Sequence, residues 1–227
     1  MKKCTAAALL LLTLSVFSQN HDKACGTLLK INKLLQDDHL KPKPIDDSLS
    51  VYVFQAVTDG LDDNHTLLLQ DDYDRLAKHR LQLDDYLKRG DCSFFSDFIS
   101  VYRSALERTR RFTEEVKGEA FSASLADTIY FSKNTFPYNK EEARIKRYVR
   151  KRITYDMLED VAKQGKSKDS LMQHLEALAK PARDRAIETA LCRVNALLNP
   201  AGGFEDSMYS RFFTAFCNYF DPHTTYF

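Results

Sequence analysis

"SLSVYVFQAVTDGL", residues 48–61, decides the fold class, because its composition and its periodicity point to different structures. The β-branched residues at its centre favour a strand. Its apolar residues, however, recur at the spacing of one face of a helix, namely at Leu49, Tyr52, Val53, Ala56, Val57 and Leu61. A period of 3.6 residues outweighs the local preference of a few side chains. The segment is therefore predicted to be an amphipathic helix.

The same period continues on the amino-terminal side of this segment. Apolar residues spaced through 28–35 predict an earlier helix. Between the two helices lies "LKPKPIDDS", residues 40–48, whose two prolines predict an extended link. Asp47 or Ser48 is placed to cap the helix that follows.

Towards the carboxyl terminus the helical period predicts five further helices, at residues 71–89, 93–117, 139–163, from 167 onwards, and at 205–220. Glycines at 90, 118 and 165 are placed to end the first three. Residues 119–138 are less regular and are predicted to form a loop.

Individual residues refine the bounds of these helices. Asn139 and Glu142 have the spacing of a capping box, and Ser167 is placed to cap the next helix. Pro181 lies inside that helix and predicts a kink or a break there. The sequence has no internal repeat and no sharp domain boundary.

Composition agrees with an all-α, multi-helix bundle. The 227 residues include 44% hydrophobic and 29% charged residues, with 7 glycines and 6 prolines. So few turn-forming residues disfavour a β fold, whereas the charged fraction suits helices with solvated outer faces. The net charge of +1 provides no overall field to attract nucleic acid.

The first twenty residues, "MKKCTAAALLLLTLSVFSQN", have the pattern of a cleavable signal peptide. Lys2 and Lys3 precede an apolar run that is much shorter than the roughly 20 residues of a membrane-spanning helix. We expect cleavage after Ser18, export to the periplasm and no stable membrane anchor. Residues 19–227 then form one helical domain.

Four cysteines remain after removal of residues 1–18, at Cys25, Cys92, Cys192 and Cys217. An even number suits an oxidising compartment, but the spacing is neither a zinc pattern nor a disulfide framework. Three complete pairings are open, and buried free thiols are the remaining alternative.

Two basic stretches resemble binding motifs but lack their context. Gly165, Lys166 and Ser167 match the end of a phosphate-binding loop, yet position 160 is Asp160 where that loop needs glycine. "RIKRYVRKR", residues 144–152, carries six basic residues. Acidic residues flank them, which favours a solvated helix face with ion pairs over a nucleic-acid surface.

Acidic and histidine residues predict no catalytic, cofactor-binding or metal site. The acidic pairs are Asp37–Asp38, Asp71–Asp72 and Asp84–Asp85, and we interpret them as helix caps. The histidines at 39, 65, 79 and 174 stand singly, without metal-ligand spacing. No serine elbow or Cys and His signature of a nucleophile is found.

The chain ends in "FCNYFDPHTTYF", residues 216–227, which carries the candidate junction Asp221, Pro222, His223, Thr224, Tyr226 and Phe227. Asp221 precedes proline, so its backbone is extended and its carboxylate can accept the amide hydrogen of His223 or Thr224. A sharp exit from an aromatic helix is predicted. His223 has no nucleophile beside it and is not predicted to be catalytic.

The aromatic residues of the last helix, Phe212, Phe213, Phe216, Tyr219 and Phe220, occupy more than one face. We expect the domain to cover one face and not all of them. An exposed apolar patch around residues 221–227 and self-association of the chain are therefore predicted.

"FDPHTTYF", residues 220–227, closely resembles the segment that precedes the PDZ domain and serine-lysine core of carboxy-terminal processing peptidases, also called tail-specific proteases. "HLKPKPIDDSLSVYVFQAVTDGLDDNHTLLLQDDYDRL", residues 39–76, is similar to the amino-terminal pattern of that family. This pattern has a His and Pro segment, a Ser-led helix, a Leu-Asp pair and an acidic entry to the next helix. "LDDYLKRGDCSFFSDFISVYRSALERTRRF", residues 83–112, continues the resemblance.

The resemblance implies the helical amino-terminal domain of an exported serine peptidase that trims or degrades proteins from their carboxyl ends, without a cofactor. In that family the catalytic serine and lysine lie beyond the final motif, so no residue of this chain inherits either role. The implied partners are the PDZ and peptidase domains of the same protein, with protein substrates or an adaptor as further contacts. The ending then marks a domain junction. The alternative is a free-standing periplasmic helical protein-binding module without enzyme activity.

Overall fold

The computed structural model describes residues 21–39, 41–119, 128–130, 136–164, 167–224 and 226, and these residues form an all-helical structure. Its helices are α1 (residues 21–38), α2 (Asp47–Leu61), α3 (Gln70–Ala77), α4 (Leu83–Arg89), α5 (Phe94–Gly118), α6 (Glu142–Ala162), α7 (Lys168–Gln173), α8 (Leu175–Leu198) and α9 (Phe204–Phe220). The predicted all-α class is confirmed. The proposed signal peptide and the glycine at 165 lie outside the described residues.

The chain divides into two compact units that alternate along the sequence. The first unit takes its described residues from 21–60, 76–99 and 205–226, and the second takes them from 61–75 and 100–204. The divisions fall within α2, α3 and α5 and at the start of α9, not in linkers. The sequence therefore has no change of composition to mark them.

Helix α2 confirms the period of residues 48–61 and corrects its face. Leu49, Val53 and Val57 are buried, as predicted. Tyr52 is 40% exposed, and Phe54 is buried in its place. The buried stripe therefore consists of two neighbouring rows of side chains, and the residues within each row are four positions apart. The cap is Asp46 and not Asp47 or Ser48, because the Asp46 carboxylate accepts the Ser48 amide hydrogen at 2.9 Å.

The core of the first unit is aromatic. Phe95 of α5 lies 5.0 Å from Tyr209 and 5.1 Å from Phe212 of α9, between ring centroids, in edge-to-face arrangements. Phe98 lies 4.8 Å from Phe212 and 6.1 Å from Phe54 of α2 in the same manner. Such contacts stabilise a core beyond the burial of area alone.

A disulfide joins Cys25 in α1 to Cys92, which follows α4. Cys192 and Cys217 are free thiols, exposed and buried respectively. Burial raises the pKa of the Cys217 thiol. The four cysteines in the described residues therefore form one disulfide and leave two thiols. This arrangement lies between the complete pairings and the all-thiol alternative that the sequence left open.

The core of the second unit is aliphatic and lies between α6 and α8. Its buried residues are Phe112, Val116, Ile145, Val149, Ile153, Met157, Val161, Ala179, Ala182, Ala186 and Ile187. Helix α6 contributes every fourth residue from Ile145 to Val161, so one narrow stripe packs on α8. Alanines on α8 allow the two helices to approach closely.

The structure confirms one of two predictions about α7 and α8 and contradicts the other. Ser167 caps α7 as predicted, because its hydroxyl accepts the Ser170 amide hydrogen at 3.4 Å. The prediction of a break at Pro181 is wrong, since α8 continues through it. The interruption lies at His174, whose ψ of 12° separates α7 from α8. Proline removes one helical hydrogen bond, and burial of Ala179 and Ala182 beside it offsets that loss.

The predicted helix at 71–89 is wrong, because residues 78–82 separate α3 from α4. The amide hydrogens of His79 and Arg80 bond to carbonyls three residues earlier, so the chain tightens out of the α-helix there. Gly90 ends α4 in the left-handed conformation with φ 67°, as predicted. Helix α5 ends at Gly118, also as predicted.

The capping box at Asn139 is also wrong. Helix α6 begins at Glu142, and Asn139 forms a bridge with Leu69, in which its carbonyl accepts the Gln70 amide hydrogen at 2.8 Å. The side-chain amide of Asn139 donates to the His65 carbonyl at 3.4 Å. Long-range pairing therefore holds Asn139 outside α6, whose N-cap residue is Glu141.

Three residues of the basic stretch 144–152, Lys146, Arg150 and Arg152, form ion pairs, as predicted. Arg150 donates two hydrogen bonds to Glu119, at 2.7 and 2.8 Å, and Lys146 lies 3.2 Å from the same carboxylate. The Arg150 guanidinium, with help from Lys146, lowers the pKa of Glu119 to about 2. Arg152 pairs with Asp156 at 3.0 Å. These residues neutralise one another on the protein surface.

Candidate functional site

The exit turn, residues 221–224, follows α9 directly. The Asp221 carboxylate accepts the His223 amide hydrogen at 2.9 Å, which confirms the first of the two predicted bonds. The Thr224 amide donates instead to the Asp221 main-chain carbonyl at 2.9 Å. One residue thus fixes the turn with both its side chain and its backbone. Phe227 lies outside the described residues.

The extended link between α1 and α2 packs against the end of α9. The Lys43 ammonium donates to the Tyr219 carbonyl and lies 5.0 Å above the centre of the Tyr219 ring. The Tyr219 hydroxyl donates to the Pro44 carbonyl at 3.4 Å. The His39 ring also lies 6.2 Å from the Phe220 ring, between centroids, so the His and Pro segment and the final motif meet in the first unit.

The predicted exposed aromatic patch is wrong. Phe212, Phe213, Phe216 and Phe220 are each at most 4% exposed. Tyr219 is partly buried, and Tyr226 turns back to contact the Phe213 ring at 4.9 Å. The contacts of Phe212 with α5 provide the cover that the sequence alone did not reveal. The structure gives no reason to expect self-association through these side chains.

Replacing Asp221 with alanine is expected to lower the free energy of unfolding by about 1 kcal/mol, because the His223 amide loses its acceptor. Asp221→Asn is the matched control, since its side-chain oxygen can accept the same bond. Urea titration followed by circular dichroism measures both. Equal stability of Asp221→Ala and the wild-type chain would contradict this role for the carboxylate.

A second feature of the family pattern is the loop 62–69, which joins α2 to α3 in the second unit. The Asp62 carboxylate accepts amide hydrogens from Thr66, Leu67 and Leu68 at 2.8, 3.0 and 2.8 Å. Burial raises the pKa of Asp62, and these three bonds act in the opposite direction. The Leu-Asp pair of the pattern thus builds a loop around one buried carboxylate.

The other end of the loop is held by Asp72 and Arg108. Asp72 accepts the Leu69 amide hydrogen at 2.9 Å, which confirms its predicted role as a helix cap. Its carboxylate also pairs with the buried Arg108 guanidinium at 2.6 Å, and Arg108 donates to the Leu67 carbonyl at 2.9 Å. The acidic entry of the pattern therefore anchors the loop to α5.

Of the other two acidic pairs, Asp84–Asp85 lies in the first turn of α4, as predicted, whereas Asp37–Asp38 does not lie at a helix start. Asp37 and Asp38 lie in the last turn of α1. Asp84 is buried, accepts a hydrogen bond from the Ser50 hydroxyl at 2.7 Å, and pairs with Lys88 at 2.7 Å. Lys88 and Ser50 lower the pKa of Asp84 despite its burial. Long-range packing, which spacing does not encode, determines these roles.

His79 has partners that its position in the sequence does not reveal. Its Nε2 lies 2.9 Å from the Asp97 carboxylate, and its Nδ1 lies 3.1 Å from the Tyr86 hydroxyl. Both partners lie on other helices of the first unit, and His79 is buried. Its ring therefore joins α4 to α5. The sequence showed His79 only as a single histidine without metal-ligand spacing, and its partners become evident only from the tertiary contacts.

The described residues contain no group of three or more metal-ligating side chains arranged around one point. Their helices also contain no apolar segment of sufficient length to cross a bilayer. Ser50 is the hydroxyl closest to a carboxylate in the first unit's core, but it is completely buried and both its bonds go to Asp84. That arrangement supports the fold and gives no access to a substrate.

The family model described as "Tail specific protease N-terminal domain" matches residues 31–227. The match begins within α1 and includes the link, the loop 62–69 and the exit turn. It therefore covers each structural feature that carries the resemblance in the sequence.

Proposed function

This chain belongs to the family of tail-specific protease N-terminal domains, and from that premise we propose that it is the non-catalytic module of an exported carboxy-terminal processing serine peptidase. The module supports the peptidase body and contacts protein substrates or an adaptor. The PDZ and peptidase domains of the same protein are its partners.

The observation that carries this proposal is the match that runs through the exit turn. The turn is fixed by Asp221 and packed against the link through Tyr219, so the chain leaves α9 in a defined direction. A defined exit suits a segment that positions a following domain. The junction residues therefore have a positioning role and take no part in bond cleavage.

Two observations support export. Residues 1–18 have the pattern of a signal peptide, and disulfides such as Cys25–Cys92 persist in oxidising compartments. The periplasm meets both requirements.

The DNA that follows the codon for Phe227 tests the proposal directly. We expect an open frame that continues into a PDZ-like segment and a region with the catalytic serine and lysine. A stop codon directly after Phe227 in intact genomes would overturn the proposal and leave a free-standing binding module.

The purified chain, residues 19–227, is expected to have no peptidase activity. Serine proteolysis requires a nucleophile held against a base and an oxyanion site, and we assign no residue of this chain to those roles. The assay follows cleavage of an unfolded protein with a carboxy-terminal tag, with an active serine endopeptidase as positive control. Turnover that copurifies with the chain and is lost on substitution of one of its residues would contradict this expectation.

A further inference from the structure

A cleft of about 670 Å³ lies in the second unit. The roles described above for the exit turn and for the family pattern do not explain why the cleft is present. It is lined by the loop that contains His65, by residues 136–141 and by the first turns of α6. Its volume falls within the range of about 300–1,000 Å³ that is typical of ligand sites.

The charge of the cleft is strongly positive. Its lining includes four basic side chains, Lys140, Arg144, Arg147 and Lys151, and one acidic side chain, Glu141. The last three basic residues are spaced i, i+3 and i+7, so they lie along one face of α6. Lys151 donates to the Thr128 carbonyl at 2.8 Å, across the cleft wall.

Two of the basic side chains of the cleft have no acidic partner among the residues that the structure describes. Lys140 and Arg144 are exposed, and within the described ranges neither forms an ion pair. On the neighbouring faces of α6, by contrast, Lys146 is paired with Glu115 of α5, and Arg150 is paired with Glu119, which follows α5. The positive field is therefore concentrated at the cleft.

The lining of the cleft also includes stacked aromatic side chains. The Tyr138 ring stacks on His65 at 4.0 Å and on Tyr73 at 4.5 Å. His65 has φ 53°, a left-handed conformation that is unusual for a residue other than glycine. Its Nδ1 donates to the Phe136 carbonyl at 2.6 Å. Such backbone strain persists only where surrounding contacts impose it, and it occurs often at binding sites.

We propose that this cleft binds an extended, acidic polypeptide segment through the carboxylates of that segment. Helical rise places Arg144 and Arg147 about 4.5 Å apart along the axis, and Arg144 and Lys151 about 10 Å apart. An extended chain advances about 3.3 Å per residue, so side chains at alternate positions lie on one face about 7 Å apart. Three or four residues of an acidic peptide therefore match the basic row, and arginine binds carboxylates with paired hydrogen bonds.

A nucleic acid fits this surface less well. A phosphate backbone needs a basic track longer than about 10 Å to bind several successive phosphates. The residues that would extend the track, Lys146, Arg150 and Arg152, are paired with carboxylates. The choice of a polypeptide also rests on the proposed function, which places the chain beside unfolded protein substrates; the charge of the cleft does not depend on it.

Fluorescence anisotropy with the chain 19–227, its disulfide intact, tests the proposal. The probe is a labelled ten-residue peptide with glutamate at alternate positions and tyrosine or leucine between them. A peptide with glutamine in place of glutamate is the matched ligand control. We expect the glutamate peptide to bind at least about tenfold more tightly, and its binding to weaken as NaCl is added.

Paired variants locate the binding. Lys140→Glu with Arg144→Glu is expected to weaken binding at least about tenfold, because it reverses the charge that faces the carboxylates. Lys180→Glu with Arg193→Glu makes the same change of charge at two exposed positions of α8 outside the cleft. This control is expected to change binding less than about twofold. Circular dichroism confirms that both variants are folded.

Any one of three results would overturn the proposal: equal affinity for the glutamine and glutamate peptides, equal weakening of binding by both variant pairs, or tighter binding of a single-stranded oligonucleotide than of the glutamate peptide. The binding assay needs no peptidase domain. Its failure would therefore leave the proposed function standing, and a stop codon after Phe227 would leave the cleft proposal standing.

Discussion

Replacing Cys25 and Cys92 together with serine is expected to lower the free energy of unfolding of the chain by about 4 kcal/mol. The disulfide closes a loop with a sequence separation of 67 residues, and the chain-entropy relation gives this value for a loop of that length. The bond also joins α1 to the segment between α4 and α5. Its loss should release α1 from the first unit as well as destabilise the whole.

Urea titration in the presence and absence of dithiothreitol measures this effect. The wild-type chain should lose stability in reductant, and the double variant should not change. Cys192→Ser is the matched control, because Cys192 is an exposed free thiol, and we expect a change below about 0.5 kcal/mol. A wild-type chain that is equally stable with and without reductant would contradict a stabilising disulfide.

Replacing Asp62 with alanine is expected to cost about 3 kcal/mol. Three amide hydrogens lose their acceptor. One of them belongs to Leu68, which is completely buried. Each buried donor left without a partner costs about 1–3 kcal/mol, and the two partly buried donors regain water. The loop 62–69 should also lose its fixed conformation.

Asp62→Asn is the matched control, and it also tests ionisation. Because burial raises the pKa of Asp62 in the folded chain, the protonated form contributes stability below the ordinary pKa of 3.8, and this contribution is lost as the pH rises through the folded pKa. Asparagine cannot ionise and keeps one acceptor oxygen. We expect it to cost less than half as much as alanine and to remove this part of the pH dependence. Equal losses for both variants at every pH would contradict the assignment.

Local patterns in the sequence predicted most helices, because local chemistry determines them. The period of residues 48–61 identified α2, Gly90 ended α4 through its left-handed conformation, and Ser167 capped α7. In each case the deciding interaction lies within a few residues of the chain. The buried face of α2 differs from the predicted face because it includes Phe54. Phe54 packs against Phe98 of α5, and the period of the sequence does not predict that contact.

The errors came from interactions between distant residues. His79 interrupts a predicted helix, and its ring bonds to Asp97. Asn139 pairs with Leu69 and so cannot cap α6. The aromatic residues of α9 are buried by helices that precede them by more than a hundred residues. Periodicity carries no information about any of these partners.

The exit turn was predictable and the cleft was not. Asp221 and Pro222 are adjacent, so their local geometry could be derived from the sequence. The cleft unites His65, Tyr138 and Arg144, which are separated along the chain and belong to three different elements. From the sequence, residues 144–152 were interpreted as a helix face with ion pairs. In the structure Lys146, Arg150 and Arg152 form such pairs. Arg144 and the preceding Lys140 line the cleft instead.

The natural size of the protein in the cell tests the central claim most directly. An antibody raised against residues 19–227 isolates the native protein from the exported fraction, and mass spectrometry determines its mass and first residue. We predict one polypeptide that begins at Gln19 and is much heavier than the 26.1 kDa of residues 1–227. A polypeptide of 26.1 kDa or less, or one that retains Met1, would contradict the account of this chain as a module of an exported peptidase.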